Sequence, residues 1–169
     1  QWITSAASRQ DVHQWRARSC AVLTGIGTVL ADNPQLNVRG VATSRQPCKV
    51  IVDSQLQTAP DAALFDSTCT PPQVLIVCAT SNPERRQPLE AAGAEVLQLP
   101  NQHGQVDLPA LFAELGRRGM NEILIEAGAR LNGALISAAC VDELLLYQAP
   151  MLLGNSARGM WHESGTEKI

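Results

Sequence analysis

The sequence predicts an α/β domain with a mostly parallel central sheet flanked by helices, and three observations carry that expectation. Short aliphatic runs alternate with helical patterns along the chain. The 169 residues suffice for one domain with a single sizeable core, and neither polar connection, at 40–47 or 66–73, has the composition of a domain linker. A glycine turn at Glu126-Ala127-Gly128 leaves the aliphatic run Ile123-Leu124-Ile125 and opens a helical pattern.

Taken in order, Trp2-Ile3-Thr4-Ser5 leads into a helix over 8–19, with Ser8 as N-cap and Asp11 near the positive end of the dipole. Val12 and Trp15 mark its apolar face, and Arg16 and Arg18 fall in its last turn. The apolar run 21–31 begins as a strand over 21–24. It stops at Asp32-Asn33-Pro34, because Asx side chains bond their own backbone and proline excludes the helical region for the residue before it. Further strands are expected at 49–52, 74–78, 95–99, 122–125 and 143–148, and further helices at 83–92, 108–118 and 130–139. Asp107 suits an N-cap and Gly119 a C′ terminator. The stretch from Met151 to Ile169 has no periodicity and reads as a long irregular segment or active-site loop.

Bulk composition narrows the functions available. Hydrophobic content is 45% with only 4% aromatic, so the core is mainly aliphatic and stacking platforms for nucleic acid are not expected. A net charge of −3 without long basic runs argues against a broad nucleic-acid or anionic-membrane surface, so any anion is met locally by a few arginines and backbone amides. Cys20, Cys48, Cys69, Cys78 and Cys140 contain no Cys-x-x-Cys pair, which fits a reducing cytoplasm better than a disulfide framework or zinc ribbon. Cys20, Cys78 and Cys140 adjoin apolar segments and read as small core residues. His13, His103 and His162 have no metal-ligand spacing, and no metal is expected. No apolar run approaches the ~20 residues that cross a bilayer, so no membrane partner is expected either.

Two segments carry the chemistry. Thr28 to Arg39 combines a helix-ending turn, an acid and a lone arginine, the make-up of a ligand-binding loop. Glu126 to Ala134 offers backbone N–H groups to a phosphate at a strand-to-helix turn. Gly25-Ile26-Gly27 is not a Rossmann fingerprint, because Leu30 stands where a third small residue is needed. Gly128 and Gly133 likewise lack the Lys and Ser or Thr of a Walker A loop.

Trp2-Ile3-Thr4, Arg16 with Ser19, the block Thr28 to Arg39, Val52-Asp53-Ser54, Glu126-Ala127-Gly128 and Val141-Asp142-Glu143-Leu144 occur together in one order. In this the chain resembles the C-terminal reductase domains of the bifunctional riboflavin-biosynthesis protein family, RibD. The resemblance implies a dihydrofolate-reductase-like fold and NADPH-dependent reduction of the ribosyl group of 5-amino-6-(5-phosphoribosylamino)uracil to a ribityl chain. It implies Arg16, Leu36, Arg39 and Glu126 at the phosphorylated pyrimidine substrate, the two arginines because guanidinium matches phosphate geometry. It implies Trp2, Thr28, Asp32, Ser54, Gly128, Ala129, Arg130, Leu131, Asn132, Gly133 and Ala134 at NADPH. Glu126 and Asp32 are the titratable groups these motifs bring near the ligands. Glu126 is either an acid or a hydrogen-bonding partner of the sugar or base, and Asp32 either orients the nicotinamide side or only forms the Asx turn. Arg130 either assists the phosphate turn or pairs outward.

The family domain begins with a strand carrying Ser-Leu-Asp-Gly and ends with further strands, neither of which is in this sequence, so the chain reads as an excerpt lacking terminal strands. The resemblance allows a zinc deaminase fused upstream, although the His-x-Glu and Pro-Cys-x-x-Cys signature is not in these residues. Low charge and an aliphatic strand at 143–148 point to a homodimer. The alternative from another class is a catalytically silent nucleotide-binding or assembly module of the same fold.

Overall fold

A computed structural model describes residues 4–66, 73–151, 154, 157 and 159–162. Trp2 and Cys69 lie outside them. Five strands, β1 (Ala21–Gly25), β2 (Cys48–Val52), β3 (Val74–Cys78), β4 (Ala94–Gln98) and β5 (Ile123–Ile125), form one sheet in the order β4-β3-β2-β1-β5. Every pairing is parallel, with Ala21 of β1 opposite Cys48 on one side and Ile123 on the other. The central strands read as continuous aliphatic runs because both faces of a parallel sheet are covered.

Alternation along each strand sends neighbours to opposite faces, giving two cores. Val22, Ile51 and Ile76 face one core with Val29 of α2 (Ile26–Asp32) and Leu89 of α3 (Pro83–Ala91). Leu23, Val50, Leu75 and Val77 face the other, with Leu111 and Leu115 of α4 (Leu108–Arg117) and Leu135 of α5 (Ala129–Ser137). Each fully buried aliphatic side chain of this kind contributes about 1.5–3 kcal/mol. Asp107 caps α4 by accepting from Ala110 N at 3.0 Å, and Gly119 follows with φ 78°, both as its sequence predicts.

The helix preceding β1 is α1 (Ala6–Arg18), and its start differs from the expectation. Ser5, not Ser8, is the N-cap, accepting from Ser8 N at 3.1 Å, and no acid lies in the first turn. Asp11 instead accepts from Tyr147 Oη at 2.5 Å. None of the α1 side chains is buried, so Val12 and Trp15 form no core-facing stripe. Trp15 is half-buried with the Arg18 guanidinium 3.9 Å from its ring centroid.

The strand expected over 143–148 does not form. Leu144, Leu145 and Leu146 are exposed, and the segment joins no ladder among the described residues. Its aliphatic run Leu144-Leu145-Leu146 is compatible with a strand, but a strand exists only where a neighbour accepts its hydrogen bonds. Here the Tyr147–Asp11 bond fastens the segment to α1 instead. Among the cysteines, Cys48 and Cys78 are buried while Cys20 and Cys140 are only half-buried, and all four are free thiols. No described helix is long and apolar enough to cross a membrane.

Candidate functional site

Strand order alone locates a crevice. The chain starts at β1, moves outward through β2, β3 and β4, then returns to the other side of β1 to form β5. The connections leaving β1 and β5 therefore diverge, and open parallel sheets bind ligands at the carboxyl ends of strands at such a switch point. A crevice of about 1880 Å³ runs along the open β5 edge from Met120 and Glu122 to this carboxyl end, where its lining includes Gly25 to Thr28, Asp32, Ser54 and Glu126 to Asn132.

Glu126 is built into the end of the sheet. Its N–H donates to Leu23 O at 2.9 Å, and its carbonyl accepts from Thr24 Oγ1 at 2.6 Å. The side chain meets Arg16 of α1 in a two-pronged ion pair, Nε to Oε1 and Nη2 to Oε2, both 2.6 Å. Arg16 Nη1 also donates to Asn37 O at 2.9 Å. Arg16 is thus more than a helix-end cation. It ties α1, the strand β5 end and the 33–39 loop together, and the pair is largely withdrawn from solvent, with side-chain exposures of 11% and 26%. Both carboxylate oxygens accept from Arg16, which fixes the carboxylate in one orientation beside the crevice.

The chain turns after α2 as expected, but the Asn33 side chain bonds remote backbone and not its own. Asn33 ends the helix in the left-handed region, φ 41°, and its Oδ1 accepts from Ala63 N at 2.8 Å. Leu36 is buried at φ 52°, a conformation costly for a side chain with a Cβ and held only where the surroundings impose it. Arg39 is exposed, and its guanidinium joins no ion pair among the described residues. Asp32 is exposed at the end of α2 on the crevice rim.

The sequence reading missed His13, which was weighed only as a metal ligand. Its Nδ1 accepts from Arg39 N at 3.2 Å. Burial, then the neighbouring Arg16 and Arg39 charges, hold it below the ordinary histidine value of 6.5, against Glu126 and the Asn37 backbone. The available signal was its position three residues before Arg16, which puts both on one helix face. Tyr147 was likewise missed; burial and its hydrogen bond to Asp11 push its phenol up to about 12.

The glycine turn and α5 form the other wall. Gly128 is the N-cap of α5, and among the described residues no side chain caps that turn. A Cβ on Gly128 would approach Thr28 Oγ1 only to 4.0 Å, so the two positions face each other across the mouth of the crevice. Ser54 sits beyond the end of β2, its Oγ accepting from Val106 N at 3.2 Å. Ala129 and Arg130 lie in the first turn of α5, Arg130 exposed. Leu131 and Ala134 pack against the second core, and Ala134, well inside α5, lies past the first-turn N–H groups a ligand could reach, so the structure does not bring it to the crevice. Asn132 Nδ2 donates to Ala127 O at 3.1 Å and Met160 O at 3.0 Å.

Gly133 has a different duty from the rest of its motif. The chain at 160–162 crosses α5 so closely that a Cβ on Gly133 would collide with the His162 carbonyl, and His162 N donates to Ala129 O at 2.9 Å. Ala in place of an interior helical glycine ordinarily stabilises by about 1 kcal/mol. Gly133→Ala is expected to gain none of that, because the His162 backbone must move. Thermal melts check the balance, and faster amide exchange at His162 is the local signature.

A five-stranded parallel sheet flanked by helices, with a crevice at the switch point and a guanidinium–carboxylate pair beside it, defines a class, the open parallel α/β domains. Within it, the chain belongs to the RibD C-terminal domain family, whose profile matches residues 1–168. It is 38% identical to the Escherichia coli (strain K12) riboflavin biosynthesis protein RibD over 181 aligned residues, covering all of this chain and 47% of that protein. It is 30% identical to the 5-amino-6-(5-phosphoribosylamino)uracil reductase of Buchnera aphidicola, covering 93% of this chain and 78% of that protein. The solved structure of Acinetobacter baumannii RibD, form 1, superposes with a TM-score of 0.78 at 36% identity, covering 99% of this chain and 45% of that one. The chain thus spans about half the length of the RibD proteins it matches.

Proposed function

We propose that this domain reduces the ribosyl group of 5-amino-6-(5-phosphoribosylamino)uracil to the ribitylamino product with NADPH, as the reductase part of riboflavin biosynthesis. The observation that carries the reading is Gly128. Its φ of −81° is open to any residue, and a Cβ there would meet nothing closer than 4.0 Å, so the fold itself does not require glycine. What the missing side chain does is leave the uncapped turn of α5 accessible to the pyrophosphate of a dinucleotide.

Thr28, Asp32, Ser54, Gly128, Ala129 and Arg130 are the residues that hold the cofactor. NADPH supplies a hydride when bound, and the chain supplies position and charge. Arg39 and the remaining Nη hydrogens of Arg16 meet the 5′-phosphate, Leu36 sets the backbone between them, and Glu126 orients the sugar or base while holding Arg16 in place. Reduction at C1 of the open-chain sugar also takes up one proton, and the crevice is open enough for water to deliver it.

The test is NADPH oxidation followed with this substrate, together with cofactor titration of Gly128→Val. Substrate-dependent oxidation is expected, with NADPH affinity about tenfold weaker in the variant and a melting temperature close to the parent's. Unchanged affinity would remove the phosphate cradle. Saturable NADPH binding without oxidation would leave a silent nucleotide-binding module.

A further inference from the structure

The loop carrying Arg39 is strained and must be fastened from outside. It leaves α2 through Asn33 in the left-handed region, carries Leu36 at φ 52°, and has no strand or helix of its own through Arg39. Three side chains grip its later part. Gln46 brackets Val38, accepting from its N–H at 2.7 Å and donating to its carbonyl at 3.4 Å. Arg16 donates to Asn37 O. His13 accepts the Arg39 N–H on Nδ1. Of the three, only the His13 contact acts directly on residue 39.

That contact specifies a protonation state. A ring nitrogen accepts from an amide only through its lone pair, so Nδ1 is bare and the ring carries its proton on Nε2. The charged groups facing the ring are Arg16 on its own helix, Arg39 on the loop and Glu126 beyond β5. Two of the three are cations, and the carboxylate is already engaged by Arg16.

We propose that neutral His13 is the positioning residue for Arg39, fixing the loop backbone at the residue that carries the guanidinium. An imidazolium at this place has no lone pair to offer the Arg39 amide and faces two guanidinium groups, so protonation releases residue 39 while Arg16 and Gln46 keep hold of Asn37 and Val38. The Asn37 backbone and Glu126 act in favour of the charged ring. The consequence for ligand binding rests on the assignment of Arg39 to a phosphate; the positioning itself does not.

Two measurements separate these. In the ligand-free protein, the Arg39 amide resonance is followed from pH 7.5 to 5 alongside the His13 ring protons. Both are expected to move with one midpoint below 6.5, and the Arg39 resonance is expected to stay still in His13→Asn, whose amide oxygen takes the place of Nδ1 but does not titrate. An Arg39 amide indifferent to His13 protonation would overturn the proposal. In the second measurement, ribose 5-phosphate is titrated into the parent, His13→Asn and His13→Leu. At pH 7.5, His13→Leu is expected to bind about three- to tenfold more weakly, while His13→Asn stays within about twofold of the parent. The parent-to-Asn affinity ratio, from which the ligand's own titration cancels, is expected to fall as pH drops below 6.5. Parent-like binding by His13→Leu, or a ratio that rises on acidification, would overturn the positioning role. If instead the amide follows His13 but Arg39→Met binds ribose 5-phosphate as the parent does, the phosphate reading fails and the positioning stands.

Discussion

Glu126→Gln is expected to lower turnover by about a hundredfold or more while leaving NADPH affinity within about twofold of the parent. The amide keeps the size of the carboxylate but turns an NH2 group toward a guanidinium that now donates to both oxygens at 2.6 Å. One prong is lost outright and the charge that attracts the other is gone. Arg16 then loses its hold on the β5 end, and the substrate loses both an orienting carboxylate and a well-placed cation. The proposed cofactor cradle at Gly128 is formed by the α5 turn and Thr28, whose side chain makes no bond to the pair, so cofactor binding is expected to be spared. Steady-state kinetics across pH and calorimetry with NADPH decide it. Turnover and a pH profile matching the parent would show that Glu126 neither orients nor transfers a proton.

Arg16→Lys is expected to reduce kcat/KM for the phosphorylated substrate by about ten- to a hundredfold, since hydrogen bonds to charged groups contribute roughly 1.5–3 kcal/mol each and an ammonium lacks the planar fork. Lysine cannot reach both Glu126 oxygens and Asn37 O together, the three bonds Arg16 makes here. Arg39→Lys is expected to cost about tenfold, because its guanidinium carries no such structural burden. The two arginines are therefore not equivalent. For a substrate analogue lacking the phosphate, the Arg39 loss should largely vanish, whereas part of the Arg16 loss should persist through Glu126. In the double variant the losses should not add if both arginines grip one phosphate. Equal persistence of both losses on the dephosphorylated analogue would rule out a shared phosphate site.

Where local rules suffice, the sequence was legible. Aliphatic runs at β1, β2 and β3 declare strands buried on both faces, Asp107 and Gly119 bracket α4, and Asp32-Asn33-Pro34 stops α2. The same rules misplaced the start of α1, because Ser5 and Ser8 are both competent caps and the choice falls to whichever geometry the preceding chain permits. They also drew a strand over 143–148 from its aliphatic run alone.

Of the site, residue types and motif order were readable, and the crevice brings Thr28, Asp32, Ser54, Glu126 and Gly128 to one rim. The partnerships were not. Arg16 and Glu126 stand 110 positions apart, and nothing in either neighbourhood says that they meet as an ion pair. His13 looked like an isolated histidine until the loop from α2 brought the Arg39 amide to its ring. Gly133 looked like one more phosphate-turn glycine until the 160–162 segment was seen to pass where its side chain would be.

By itself, then, the sequence determined the alternation of strands and helices, the aliphatic character of the core and the chemical types gathered for an anionic ligand, because periodicity, capping and turn chemistry act over a few neighbouring residues. Only the tertiary structure decided which charges neutralise one another, which histidine nitrogen is bare and which glycine serves packing. Those outcomes depend on distances between segments remote in the chain, and such distances are set by the strand order β4-β3-β2-β1-β5, which no local pattern encodes.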